Sequence, residues 1–364
     1  MALFIGLIGL PNVGKSTLFN ALTQGTAAAS NYPFCTVDPN IGVVEVPDER
    51  LKRLNALIEP ASCTPTTIRF ADIAGLVRGA SHGEGLGNKF LGQVREADAL
   101  VHVLRCFADE EISHVDGSVD PLRDVETIET ELLLADLETV ENALPHLDKV
   151  VRSDPRSDRR LELDVVRKAE QALIEGIQLR ALGLASEERS AIAAYHFLTL
   201  KPVLYVANVS EEEISGGEDS TQGMEEQLGV QKVLKIAAQI EAEIGQLPAG
   251  ERLDFLSELG LEETGINRFI LAGYHLLDLL TFYTVANDKL QAWQLPRGAK
   301  APVAAGGIHS DIEAGFIRAE VAACDALIAA GGMTQLRDRG QLRTEGKEYE
   351  IADGDVVNFL FRAS

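Results

Sequence analysis

The sequence predicts an α/β fold with a long helical insertion and a β-rich C-terminal section. Three observations predict it: apolar runs alternate with helical stretches, an apolar seam of heptad spacing covers residues 133–151, and two-residue alternation begins after about residue 278. A chain of 364 residues is long enough for two or three domains and a large core.

The first element is LFIGLI (3–8), a short apolar run bounded by glycine, as a buried parallel strand would be. It has no basic leader and runs into a glycine loop, so it reads as a strand rather than a signal peptide. STLFNALTQG reads as the next helix, and TTIRFA (66–71), ALVHVLRC (99–106) and VLYVA (203–207) as further strands. Between the last two, Leu133, Leu137, Val140, Leu144, Leu147 and Val151 are spaced as a coiled-coil seam. Pro145 is expected to kink or reset that helix. Ser153–Arg160 reads as a turn, and a second helix puts Val166, Leu173 and Ile177 on one face. This is a helical hairpin inserted into the α/β part. EEEISGGEDSTQG (211–223) reads as a mobile acidic loop. TFYTVA, FIRAEVAA and YEIADGDVVNFLF alternate as strands, with Asp353-Gly354 as a turn. The expected divisions are 1–108 and 201–277 for the two parts of the α/β domain, 109–200 for the insertion and 278–364 for the β-rich domain.

Net charge is −23, which argues against binding bare nucleic acid through a basic face. The four sections in chain order carry net 0, −11, −9 and −3. No apolar run approaches the roughly 18 residues of a membrane span. Cys35, Cys63, Cys106 and Cys324 lie far apart with no CxxC pair. That excludes a disulfide scaffold and a zinc ribbon and points to a reducing cytoplasm.

The neutral first section carries the chemistry. Gly9-Leu10-Pro11-Asn12-Val13-Gly14-Lys15-Ser16 matches G-x-x-x-x-G-K-S/T between a strand and a helix. Its backbone amides can curl around phosphate oxygens, Lys15 can reach the β and γ phosphates, and the Ser16 hydroxyl can ligate Mg²⁺. Asn12, Val13, Gly14 and Thr17 complete the expected nucleotide contacts there. Asp72-Ile73-Ala74-Gly75 follows a strand, so Asp72 is the expected second Mg²⁺ contact and the Gly75 amide a γ-phosphate sensor. Thr36, in NYPFCTVDPN, sits where a switch loop would bring a hydroxyl to Mg²⁺.

Together GLPNVGKST, DIAGLVRGASHGEGLGN and NVSE resemble the Obg-related P-loop GTPases, and most closely the Obg-like ATPases of the YchF family. The likeness covers essentially the whole chain. AWQLPRGAKAPVAAGGIHSDIEAGFIRAEV and EGKEYEIADGDVVNF are similar to the lead-in and close of that family's C-terminal domain. The resemblance implies a P-loop NTPase fold with a Ras-like G domain, an inserted coiled-coil hairpin and a ubiquitin-like TGS domain.

GTP-specific relatives read guanine with N-K-x-D. Here Asn208 is kept, Val209 replaces the lysine and Glu211 replaces the aspartate. Glu211 is one methylene too long for the bidentate geometry, so adenine is expected over guanine, with GTP weaker than ATP. Backbone groups near Lys235–Gln239 are the expected adenine readers, and Asn208 is expected to brace the loop. Leu76 stands where Ras-like enzymes place a water-orienting glutamine. His82 is the nearest titratable side chain that could take over, and Asn12 is the expected ligand of a K⁺ ion. The expected function is a slow, Mg²⁺-dependent ATPase switch that associates with the ribosome. A GTP-specific GTPase and a nucleotide-gated scaffold with negligible turnover stay open as alternatives. Arg152, Arg156, Arg159 and Arg160 form a basic cluster at the expected hairpin tip, suited to rRNA or protein. The protein is expected to be a monomer with no membrane contact and no sequence-specific DNA binding.

Overall fold

The computed structural model describes residues 3–24, 40–73, 86–154, 157–217, 219–229 and 233–362. The chain forms two compact units, residues 1–43 with 69–269 and residues 44–68 with 270–364.

β1 (Phe4–Ile8) is the expected apolar strand, and α1 (Lys15–Gln24) starts inside the glycine loop that follows it. After β2 (Ile41–Glu45) the chain makes α2 (Glu49–Ile58) and β3 (Ser62–Thr64) of the second unit, then β4 (Thr67–Asp72). α3 (Leu86–Glu96) leads to β5 (Ala99–Arg105), which is buried at all seven positions. The insertion follows as α4 (Pro121–Ser153), α5 (Arg160–Ile174) and the short α6 (Ser186–Ala191). The chain returns through β6 (Val203–Asn208), α7 (Glu211–Ile214), α8 (Met224–Leu228), β7 (Leu234–Ile236), α9 (Ala238–Gln246), α10 (Ala249–Glu258) and α11 (Gly265–Leu276).

The strand order is β2-β4-β1-β5-β6-β7, and β4, β1, β5, β6 and β7 pair in parallel. Neighbours that run the same way deliver their carboxyl ends to one edge, where open α/β sheets bind ligands. The glycine loop, Asp72, Arg105 and Asn208 all emerge there.

The hairpin has its own core. Val140 and Leu147 of α4 are buried with Leu163, Val166 and Leu173 of α5, and Leu133, Leu137, Leu144 and Val151 pack against them. Two expectations are corrected here. α4 runs as one helix through Pro145. A proline removes one intrahelical hydrogen bond, and the buried seam on both sides outweighs it, at about 1.5–3 kcal/mol for each large apolar side chain. α5 ends at Ile174, so Ile177 lies beyond it and is 41% exposed, off the face of Val166 and Leu173. At the tip, Arg159 donates to both Glu162 carboxylate oxygens at 2.7 and 2.8 Å, while Arg156 lies outside the described residues. The acidic stretch after Asn208 carries one helical turn and two ion pairs among its described residues. It opens with α7, and Lys235 Nζ holds Asp219 at 2.5 Å and Glu213 at 3.5 Å.

In the second unit, β8 (Leu279–Ala286) and β9 (Lys289–Pro296) form an antiparallel hairpin. Its two-residue turn, Asn287-Asp288, has φ of 52° and 60°, a left-handed pair that these residue types tolerate. α12 (Ala301–Ile308) and α13 (Ser310–Ala314) follow, then β10 (Phe316–Ala323), α14 (Cys324–Ala330), α15 (Met333–Asp338), β11 (Arg343–Glu345) and β12 (Asp355–Phe361). The sheet order is β11-β10-β12-β8-β9-β3, with β12 parallel to β8 and β3 parallel to β9. One cluster joins the α12 alanines to Phe282, Phe316 and Phe359. A second joins Leu51 and Leu54 of α2 to Tyr283, Leu290 and Leu327. Residues 44–68, inside the 1–108 section of the sequence reading, therefore group with the C-terminal residues, because β3 extends the β9 edge and α2 covers the sheet.

Candidate nucleotide site

The glycine loop is built from the side chains below it. Asn208, at the end of β6 and 6% exposed, donates from Nδ2 to the Val13 carbonyl at 2.9 Å and accepts the Ala238 N–H on Oδ1 at 3.0 Å. One amide thus ties the loop to the start of α9. Gly14 has φ 95°, and a Cβ placed on it would lie 2.2 Å from Asn208 Nδ2, so only glycine fits. Asn12 is also left-handed, at φ 65°, and its Nδ2 donates to the Ser113 carbonyl at 3.2 Å.

Lys15 is 7% exposed, and its ammonium donates to the carbonyls of Gly9 and Leu10 at 3.3 and 3.4 Å. Burial pushes its pKa below the ordinary lysine value, and the charge of Asp72 opposes that shift. The exposed Ser16 donates its hydroxyl to Asp72 Oδ2 at 2.8 Å. Asp72 Oδ1 is buried with no hydrogen-bond partner among the described residues. A buried carboxylate oxygen without a donor is costly, and beside a hydroxyl oxygen it is a donor set that hard cations take. The residues therefore fit Mg²⁺.

A cavity of about 590 Å³ opens beside the loop. Its walls are Asn12, Gly14 and Thr17, the chain from Asn208 to Glu211, the start of α9 at Ala237–Ile240 with Glu243, and Phe107, Ala108, Asp109 and Ile112 after β5. Val209 reaches this wall but buries its side chain against Met224 and Val233. Glu211 is exposed at the first position of α7, where the Ser210 hydroxyl accepts the Glu213 N–H at 3.3 Å. Of the stretch Lys235–Gln239, Ala237, Ala238 and Gln239 line the cavity, whereas Lys235 is held by Asp219 and Glu213.

The structure thus gathers Asn12, Val13, Gly14, Lys15, Ser16, Thr17, Asp72, Asn208, Val209 and Glu211 at one edge. Thr36, Gly75 and His82 lie outside the described residues, as does Leu76. Sequence reasoning missed the loop after β5. Arg105 organises its first half. His114 Nε2 lies 2.9 Å from the buried Asp124 Oδ2, and His114 Nδ1 accepts the Asp116 N–H at 3.1 Å, which puts the ring proton on Nε2. The signal available was position alone, since this loop follows the strand next to the one that carries the P-loop.

His102, three residues before Arg105, is fully buried in β5. Burial first, then the charges of Arg180 and Lys15, push its pKa down to about 3, so the ring is neutral.

The fold and the loop define a P-loop nucleotide-binding protein of the GTPase class, and residues 4–136 match the family described as 50S ribosome-binding GTPase. Residues 279–362 match the YchF-GTPase C-terminal family, described as a protein of unknown function (DUF933). The chain is 48% identical over 365 residues to the protein of Bacillus subtilis named ribosome-binding ATPase YchF, covering 99% of this chain and all of that one. It is 48% identical to the protein of that name from Pasteurella multocida, covering 98% of each. The solved structure of the YchF GTPase of Schizosaccharomyces pombe superposes with a TM-score of 0.88 at 34% identity, over 98% of this chain and 97% of that one. This chain belongs to the YchF family. No helix among the described residues is long and apolar enough to cross a membrane.

Proposed function

We propose that this protein is a Mg²⁺-dependent ATPase that works as a nucleotide-controlled switch on the ribosome, in the cytoplasm. The observation that carries the reading is the cavity beside the P-loop, joined to it through Asn208 and lacking the lysine and aspartate that read guanine. ATP places its phosphates on the loop amides, with Lys15 on the β and γ oxygens. Ser16, Asp72 and Thr36 hold the metal ion, which when bound offsets charge on the phosphoryl oxygens. Gly75 follows the γ phosphate. Asn208, Val209 and Glu211 form the base end, where the start of α9 supplies backbone groups to adenine. His82 positions the attacking water, and the Asn12 amide oxygen serves a K⁺ ion.

In this reading residues 1–43 and 69–269 supply the nucleotide domain, with 109–200 as its coiled-coil hairpin, and residues 278–364, grouped with 44–68 and 270–277, supply a TGS-like domain. The hairpin tip and that last domain offer the ribosome contacts of a monomer. The names of the relatives support ATP and the ribosome as partners. Steady-state phosphate release from Mg²⁺-ATP, with and without ribosomes, tests the proposal. Slow release that ribosomes stimulate is expected. Release no faster than that of Lys15→Ala in both conditions would leave a binding scaffold instead.

A further inference from the structure

Arg105 ends β5 in register with Asn208 of β6, at the carboxyl edge of the sheet. It is among the largest fully buried side chains, at 1% exposure. Its guanidinium makes no ion pair with a carboxylate among the described residues. Instead Nε donates to the Phe107 carbonyl at 3.3 Å, Nη1 to Ile112 at 2.9 Å and Nη2 to Asp109 at 3.1 Å. The cation also lies 4.7 Å from the centre of the Phe107 ring. The loop is wrapped around one side chain, and the residues so held, Phe107, Asp109 and Ile112, are wall residues of the cavity. Ser113, next in the chain, gives its carbonyl to Asn12 of the P-loop.

We infer that Arg105 is a positioning residue for the nucleoside: it shapes the cavity wall opposite α9 and touches no phosphate itself. The inference rests on the reading of this cavity as the base site. A planar fork of five donors can serve three carbonyls at once, whereas a lysine ammonium cannot reproduce that fork. Arg105→Lys keeps the charge and most of the bulk but loses the shape it imposes. Lys15, Ser16 and Asp72 are untouched, so the phosphate half of the site persists.

The test compares two probes, Mg²⁺-ATP and Mg²⁺-tripolyphosphate, which has no base or ribose. Binding to wild type, Arg105→Lys and Arg105→Ala is measured by calorimetry, with melting followed by circular dichroism. ATP should bind roughly tenfold to a hundredfold more weakly to the variants, with tripolyphosphate within about threefold of wild type. Equal losses for both probes would make Arg105 a general structural residue and overturn the inference, as would no loss for either. Wild type binding ATP no more tightly than tripolyphosphate would instead overturn the base-site reading. Hydrogen exchange on the wild-type protein covers the case in which neither variant folds. Amides 107–113 should gain protection with ATP and not with tripolyphosphate, and equal protection would overturn the inference.

Discussion

Replacing Asn208 should damage stability and nucleotide binding together, because one amide serves both. In Asn208→Ala the Val13 carbonyl and the Ala238 N–H lose their partners at 2.9 and 3.0 Å. Each unpaired group in a site this buried costs about 1–3 kcal/mol. Water from the adjoining cavity can reach part of the gap, so about 2–4 kcal/mol is the expected sum. For a unit the size of residues 1–43 with 69–269, that lowers its melting temperature by roughly 5–12 °C. The loop also loses its tie to α9, and ATP should bind on the order of tenfold to a hundredfold more weakly. Asn208→Asp is the near-isosteric control: it keeps the acceptor for Ala238 but turns an oxygen toward the Val13 carbonyl. It should lose at least as much ATP affinity as alanine. Calorimetric melts and titration with a fluorescent ATP analogue measure both effects. An alanine variant that melts within about 1 °C of wild type and keeps its ATP affinity would refute the argument that this amide holds the loop.

Four further outcomes are expected. Lys15→Ala and Ser16→Ala should remove Mg²⁺-nucleotide binding or hydrolysis while leaving the circular dichroism spectrum intact, and wild-type turnover in either variant would contradict the site. ATP should bind one to two decades more tightly than GTP in competition titrations, and tighter GTP binding would mean that Glu211 does the work of the missing aspartate. His82→Ala should lower the hydrolysis rate by on the order of 10²–10³ without weakening ATP binding, and K⁺ in place of Na⁺ should raise the wild-type rate. His102 has a folded pKa of about 3 against an ordinary value of 6.5, so the unfolded chain binds its proton first as pH falls. Stability from this group is full above pH 6.5 and is lost as pH drops toward 3. Urea unfolding at pH 7 and pH 5 should therefore differ by up to about 2 kcal/mol more in wild type than in His102→Gln. Equal differences in the two proteins would show that the ring does not titrate this way.

Apolar patterning made some elements readable and hid others. FIGLI is apolar throughout, and ALVHVLR is apolar but for His102 and Arg105, because β1 and β5 are buried along nearly their whole length, and such runs stand out against any background. The α4 seam was readable for the related reason that one stripe alone faces α5. β3 and β7 have three residues each, too few to show a period. β9, KLQAWQLP, sets its buried Leu290, Ala292 and Leu295 among polar residues, and the clue lay in the Asn287-Asp288 turn before it. At the site, the glycine loop was readable because its chemistry is local: the spacing of Gly9, Gly14, Lys15 and Ser16 is itself the phosphate cradle. Arg105 was not, because an arginine at a strand end looks solvated until the loop folds over it. Asn208 lay between, expected as a brace but with no sign of which two groups it joins.

The second unit is assembled from pieces of chain that leave the ribosome far apart in time. Residues 44–68 emerge early, yet β3 has no neighbour until β9 is made, and Leu51 and Leu54 of α2 have nothing to cover until Tyr283, Leu290 and Leu327 arrive. During synthesis of more than two hundred intervening residues, an apolar helix face must wait in water or in the care of a chaperone. Removing the C-terminal residues by truncation would leave that wait permanent. A shortened chain ending near residue 277 should therefore be prone to aggregation, and a clean excision of this unit would have to take residues 44–68 along with the C-terminal part.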